Sequence, residues 1–297
     1  MEGFTNWLEE QDVSIQYLYS QLILEKEDRK KQELIPSKGY GSILLSKQNP
    51  DGHWGKYYYQ PKWTSTHYTL LQLKELGISK DNPTCQKMVA KMFSECQLEN
   101  GGLNLAKSSL PSDVCVDGMI LNYSSYFIPE SAGLELLTNS IIAKQKRDGG
   151  FTWYDQDYGD PHSSICVLEG LISYQENVIN TDMKPIIEAA ITGILNYFTE
   201  NNLFLSQKKY QNFVYPFRYF YSVFRFLLVT SKIEMPINDS IRQALEWLVA
   251  KEPSQFIKLE KTYPGREFIT FSKVGEVNPF LTVYGAYIRN QYSYYNI

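Results

Sequence analysis

The sequence predicts an all-α protein: about five to six helical hairpins in two layers, enough to close a ring. Three observations carry that prediction. A short phrase recurs at nearly constant spacing, each copy lies between two segments of helical apolar periodicity, and Pro or Gly marks most connections.

The phrase is QNPDGHW at 48–54, QLENGGL at 97–103 and QKRDGGF at 145–151, so its starts lie 49 and 48 residues apart. A period near that length belongs to helical-hairpin repeats. Before each Gln runs one helical pattern: GYGSILLSKQ, CQKMVAKMFSECQ and LELLTNSIIAKQ. After each Gly comes another: STHYTLLQLKELG, DVCVDGMILNYSSYF and HSSICVLEGLISYQ. The second set is the more apolar and reads as the inner layer. The Gly lets the chain leave the first helix with positive φ. The Gln is expected to bond the neighbouring repeat's backbone while Trp54, or its Leu or Phe counterpart, packs beneath. Two weaker pairs follow, PIIEAAITGILNYFTENN with YPFRYFYSVFRFLLVTSK, and SIRQALEWLVAKE with PFLTVYGAYIRNQY. One helix around NWLEEQDVSIQYLYSQLIL precedes them all. Residues 1–35 thus read as an N-terminal helical segment packed on a ring domain at 36–297.

Composition narrows the function. The chain has 297 residues, 43% of them apolar and 21% charged, with a net charge of −4 and no long basic run, so nucleic acid is not expected as a partner. No stretch approaches the roughly 20 apolar residues that span a bilayer. The acidic opening MEGFTNWLEEQDVS lacks a secretory pattern, and a cytoplasmic location is expected. Cys85, Cys96, Cys115 and Cys166 form no C-x-x-C pair and read as thiols rather than disulfides. The 23 tyrosines point to a wet aromatic cavity.

The clasp phrase, its period and the two helix layers resemble the superfamily of squalene cyclases and protein prenyltransferase β-subunits, over roughly residues 36–292. The resemblance implies an α/α toroid around a central cavity. Its proton-initiated cyclases carry D-x-D-D, and its magnesium-dependent enzymes D-D-x-x-D; this chain has neither. The prenyltransferase branch binds zinc through D-x-C at the start of one inner helix and a His at the start of the next. The matching positions here are Asp113 and Cys115 in SDVCVDGM and His162 in DPHSSICVLEGL. The resemblance therefore implies zinc, transfer to a thiolate, an isoprenoid diphosphate substrate, and a second subunit beside this one.

The residues support a metal independently. Pro111 and Ser112 supply a helix start before Asp113, and His162 follows Pro161. Adjacent inner helices of a ring begin on the same rim, where Asp, Cys and His together suit Zn²⁺ with one position open. His67, at the start of the first inner helix, is a fourth ligand, a donor to a ligand, or an acid–base group. For an apolar chain, Trp63, Trp153, Tyr154 and Tyr221 are the candidate aromatic wall. Arg218 and Arg225, seven apart on one predicted helix face, are candidates for an anionic leaving group.

Other readings stay open. In a cyclase without the usual motif, Asp113 or Asp117 is the proton donor. A non-catalytic toroid binds a lipid or protein. A saccharide-active toroid uses Asp155, Asp157 and Asp160.

Overall fold

The computed structural model describes residues 2–107, 109–179, 181–200 and 207–293. Thirteen α-helices make up the regular structure of these residues, with two short 3-10 turns and three isolated β-bridges. The chain is all-α, and no strand occurs among the described residues.

Five hairpins appear where the periodicity places them. They are α4 (Gly39–Leu45) with α5 (Thr66–Glu75), α6 (Pro83–Cys96) with α7 (Val114–Phe127), α8 (Ala132–Ile142) with α9 (Pro161–Asn177), α10 (Lys184–Glu200) with α11 (Val223–Lys232), and α12 (Asp239–Lys251) with α13 (Pro279–Tyr292). The single N-terminal helix read over 6–24 is instead two, α1 (Glu2–Glu9) and α2 (Val13–Leu22), and a further short helix, α3 (Arg29–Leu34), follows. Asp12 causes the first break. Its Oδ1 accepts the Ser14 N–H at 2.9 Å as an N-cap, and its Oδ2 accepts the Tyr40 N–H at 2.9 Å.

First and second helices differ as expected. α6 buries one stripe, Cys85, Met88, Val89, Met92, Phe93 and Cys96, the three- and four-residue spacing of a helix with one face in the core. α7 buries all but two of its residues. The second helices also pack on one another: α5 on α7, α7 on α9, and α11 on α13, while α13 packs on α2. The α7–α9 contact is the tightest. A Cβ on Gly118 would lie 2.7 Å from the Val167 Cα, and one on Gly170 would lie 2.4 Å from the Gly118 carbonyl oxygen. Only glycine permits that approach.

The recurring phrase forms the same turn three times. Gln48 Nε2 donates to the Gly52 carbonyl at 2.8 Å, Gln97 Nε2 to Gly101 at 3.1 Å, and Gln145 Nε2 to Gly149 at 2.8 Å. Gly52, Gly101 and Gly149 have φ of 90°, 88° and 87°. The Gln therefore fastens its own turn. Among the described residues, Gln97 alone of the three also reaches the next helix, donating to the Gly133 carbonyl of α8 at 2.8 Å. Trp54, Leu103 and Phe151 are buried.

Each turn is then latched to the following second helix. The Trp54 N–H donates to Thr66 Oγ1 (3.1 Å), the Leu103 N–H to Asp117 Oδ1 (3.0 Å), and the Phe151 N–H to Ser164 Oγ (2.9 Å). These bonds set the true register between repeats: Thr66, Asp117 and Ser164 are equivalent. Cys115 and His162, each two residues earlier, are equivalent to each other and to Thr64. His67 lies three residues further along its helix than the position matching His162.

α11 is shorter than its sequence pattern. Residues 215–222 are not helical, because the helix begins only after Ser222, whose Oγ accepts the Arg225 N–H at 3.1 Å. Arg218 and Arg225 therefore do not share a helix face. Arg218 sits in the preceding segment with φ of 53°.

Candidate functional site

The predicted metal donors stand at the N-terminal ends of α7 and α9. Asp113 caps α7, its Oδ1 accepting the Cys115 N–H at 2.8 Å; burial pushes its carboxyl up. Cys115 is buried, and the neighbouring Cys166 thiol, then burial, raises it well above the ordinary thiol range. His162 Nδ1 accepts the Tyr221 N–H at 2.9 Å. A neutral imidazole has one acceptor nitrogen, so Nε2 then carries the proton and no lone pair is left for a metal. Burial also pulls the His162 imidazole down. Among the described residues, no three of His, Cys, Asp and Glu form a group able to hold a metal ion. As placed, Asp113, Cys115 and His162 do not fit zinc.

His67 is fully buried among Tyr59, Tyr68 and Tyr123, and burial pulls it down to about 3. Its Nδ1 lies 3.2 Å from the Tyr123 hydroxyl, and its Nε2 has no partner among the described residues. It is neutral at physiological pH. Asp117, also fully buried, is held on both oxygens: Oδ1 by the Leu103 N–H and Oδ2 by Lys144 Nζ at 2.9 Å. It is the acidic version of the latch that Thr66 and Ser164 make elsewhere.

A cavity lies toward the other end of the same helices. It measures about 450 Å³ and draws its wall from α2, α5, α7, α9, α11 and α13, with Phe217 and Arg218 from the segment before α11. The lining residues of α5, α7 and α9 come from their C-terminal halves: Leu71, Lys74 and Glu75; Asn122 and Tyr126; Glu169, Ile172, Ser173, Glu176 and Asn177. Tyr17, Tyr284 and Tyr287 add phenols. The wall is charged as well as aromatic, with Lys74, Glu75, Glu169, Glu176, Arg218, Arg225 and Lys232 all on it.

Glu169 and Arg225 form a bidentate pair, Nε to Oε1 at 3.0 Å and Nη2 to Oε2 at 2.7 Å. Arg225 Nη1 also donates to the Phe220 carbonyl at 2.8 Å. Burial pushes the Glu169 carboxyl up, but Arg225, with Lys232 and Lys74 beyond it, overcomes this and holds it below its usual range. Glu75 goes the other way. Burial and the charge of Glu169 push it up to about 7, against Lys232, Tyr284 and Arg225. Burial pulls the Lys74 ammonium down to about 7, against Glu176. Lys74 Nζ donates to the Asn122 carbonyl at 2.9 Å, to Asn122 Oδ1, and to Ser173 Oγ at 2.7 Å, tying α5 to α7 and α9.

Of the predicted substrate residues, Arg218 and Arg225 line this cavity. Trp63 lies beneath it, its ring 4.1 Å from the Arg218 guanidinium and its Nε1 donating to the Pro264 carbonyl at 2.8 Å. Tyr221 is buried against Phe198 and Tyr210. Trp153 and Tyr154 are 58% and 53% exposed, leaning on each other outside the cavity. Asp155 and Asp157 share that exposed loop, and Asp160 caps α9. Sequence reasoning passed over Lys74, Glu75, Glu169, Glu176 and Lys232. Their signal was present: lone charges inside otherwise apolar second helices, as in CVLEGLI and TLLQLKEL.

No helix among the described residues is long and apolar enough to cross a membrane. No protein-family model matches the chain, and no curated protein matches it.

Proposed function

We propose that the hairpins close an α/α toroid, and that the chain is an acid–base enzyme acting on a small polar substrate in the charged cavity. The toroid is supported by six helices sharing one cavity and by the packing of α5 on α7, α7 on α9, α11 on α13 and α13 on α2. The cavity volume, about 450 Å³, falls within the roughly 300–1,000 Å³ of small-molecule sites.

The observation that carries the enzyme reading is the pair Glu75 and Glu169, two carboxylates on one cavity wall pushed in opposite directions. Such divergence separates a proton donor from an ionised partner. Glu75, titrating near neutrality, holds a proton that it can give to a leaving oxygen or nitrogen. Glu169, fixed by Arg225, stays ionised and stabilises positive charge developing on the substrate. General acid catalysis of this kind is worth about 10²- to 10⁴-fold.

A polar substrate suits this wall better than a terpenoid. Protonating a carbon–carbon double bond needs a far stronger acid than a carboxyl titrating near 7. A hydrocarbon would take water from a wall of seven ionisable side chains and offer none of them a hydrogen bond in exchange.

The test is a carbon-13 NMR titration of glutamate-labelled protein, with Glu75→Gln identifying the Glu75 signal. A midpoint near pH 7 is expected. A midpoint in the ordinary carboxylate range removes the acid from the scheme.

A further inference from the structure

We propose that Arg218 is an anion-binding subsite in the cavity, and that the substrate carries a carboxylate or phosphate group that docks there. This rests on the cavity's being the substrate site, but not on the role given to Glu75.

The two arginines of the cavity are in contrasting states. Arg225 uses all three guanidinium nitrogens: Nε and Nη2 on Glu169, Nη1 on the Phe220 carbonyl. Arg218 uses one. Its Nη2 pairs with Glu267, while its Nε is buried with no partner and its Nη1 makes no hydrogen bond among the described residues. Yet Arg218 is only 6% exposed. Donors this deeply placed are ordinarily satisfied, so an unmet Nε on a residue that lines a cavity points to an acceptor that a small movement of the guanidinium would meet.

The placement is also built. A bulky residue with φ of 53° lies outside the regions that L-residues favour, and such backbone is kept where the surroundings impose it. Trp63 supports the guanidinium from behind at 4.1 Å, and Glu267 fixes its far edge. Burial pulls the Arg218 charge down despite Glu267, so an added anion is electrostatically welcome. The wall carries both signs: Lys74, Arg218, Arg225 and Lys232 stand among Glu75, Glu169 and Glu176, with Lys74 and Glu75 both titrating near 7. A carboxylate or phosphate offers the paired acceptors that a guanidinium edge matches.

The test is proton–nitrogen NMR of the full chain, following the arginine Nε–H signals at constant ionic strength. Arg218→Lys identifies the Arg218 signal. Inorganic phosphate, benzoate and neutral benzamide are titrated separately. We expect phosphate or benzoate to shift the Arg218 Nε–H saturably, with the Arg225 Nε–H unmoved and benzamide silent. Which anion binds the tighter distinguishes a phosphate from a carboxylate substrate. Arg218→Lys should weaken the preferred anion at least about tenfold, because a point charge replaces a fork. At pH 5, where Glu75 is already protonated, Glu75→Gln should leave anion binding intact, which separates this subsite from the acid–base reading. An Arg218 signal unmoved by both anions, or moved as much by benzamide, overturns the proposal.

Discussion

Tyr284, on the last helix, donates its hydroxyl to Glu75 Oε1 at 3.2 Å, across 209 residues of sequence. The bond favours the charged carboxylate and so restrains the upward push of burial on Glu75. Tyr284→Phe should raise the Glu75 midpoint above its value of about 7. The labelled-glutamate titration measures it directly.

The shift of Glu75 also makes stability depend on pH. Its carboxyl titrates at 4.5 when unperturbed and at about 7 in the folded chain, so the folded state binds more protons in between. The stability this supplies is full below about pH 4.5 and is lost as pH rises through about 7. Glu75→Gln should therefore gain stability relative to the parent above pH 7 and change it least below 4.5. Urea melts of the two proteins at pH 5 and pH 8 give the comparison. Lys74 acts with the opposite sign, its penalty fading from about pH 7 to 10.5, but it is common to both proteins and cancels.

Arg225→Met leaves Glu169 without its counter-ion. Breaking a buried pair costs about 3–5 kcal/mol, with the lower end expected because Glu169 keeps some contact with the cavity. Removing both charges, as Glu169→Gln with Arg225→Met, should recover most of the loss. Denaturant midpoints of the single and double variants check this.

Asp117 answers to a different test. If it is a latch rather than an acid, Asp117→Ser should be tolerated better than Asp117→Ala, because Ser164 and Thr66 do the same work with hydroxyls. The Ala variant loses the acceptor for the buried Leu103 N–H, a cost of about 1–3 kcal/mol. Thermal melts rank the two, and both should still bind phosphate at Arg218.

Gly118→Ala should be more damaging than its size implies. Its new methyl would meet the Val167 backbone at 2.7 Å, forcing α7 and α9 apart. Overpacking of this kind costs about 1–3 kcal/mol, and here rigid backbone has to yield. Its denaturation midpoint should fall well below that of Gly3→Ala, where nothing lies within 4 Å.

The hairpins were legible because their signals are local: apolar spacing, Gly at positive φ, and caps such as Asp113 and Asp160. The site was not, because it depends on where separate repeats meet. His67 and His162 both stand near the start of a second helix, yet the latch bonds align Thr64, not His67, with His162, since the loops after Trp54, Leu103 and Phe151 differ by a residue or two. Asp113, Cys115 and His162 match a metal pattern as letters, yet a helix cap, a thiol pair and a backbone N–H already claim them. Glu169 and Arg225 lie 56 residues apart and acquire meaning only when α9 meets α11.

The hydrogen bond from Trp63 to Pro264 spans 201 residues, and that from Tyr284 to Glu75 spans slightly more. A nascent chain emerging from the ribosome builds its early hairpins long before either partner has been synthesised. Contacts so distant in sequence form late and slowly. A nascent chain halted before Tyr263 should therefore hold helical repeats but neither the Pro264 anchor of Trp63 and the Glu267 partner of Arg218 nor the Tyr284 bond to Glu75, so that the chemistry switches on only when translation is nearly complete.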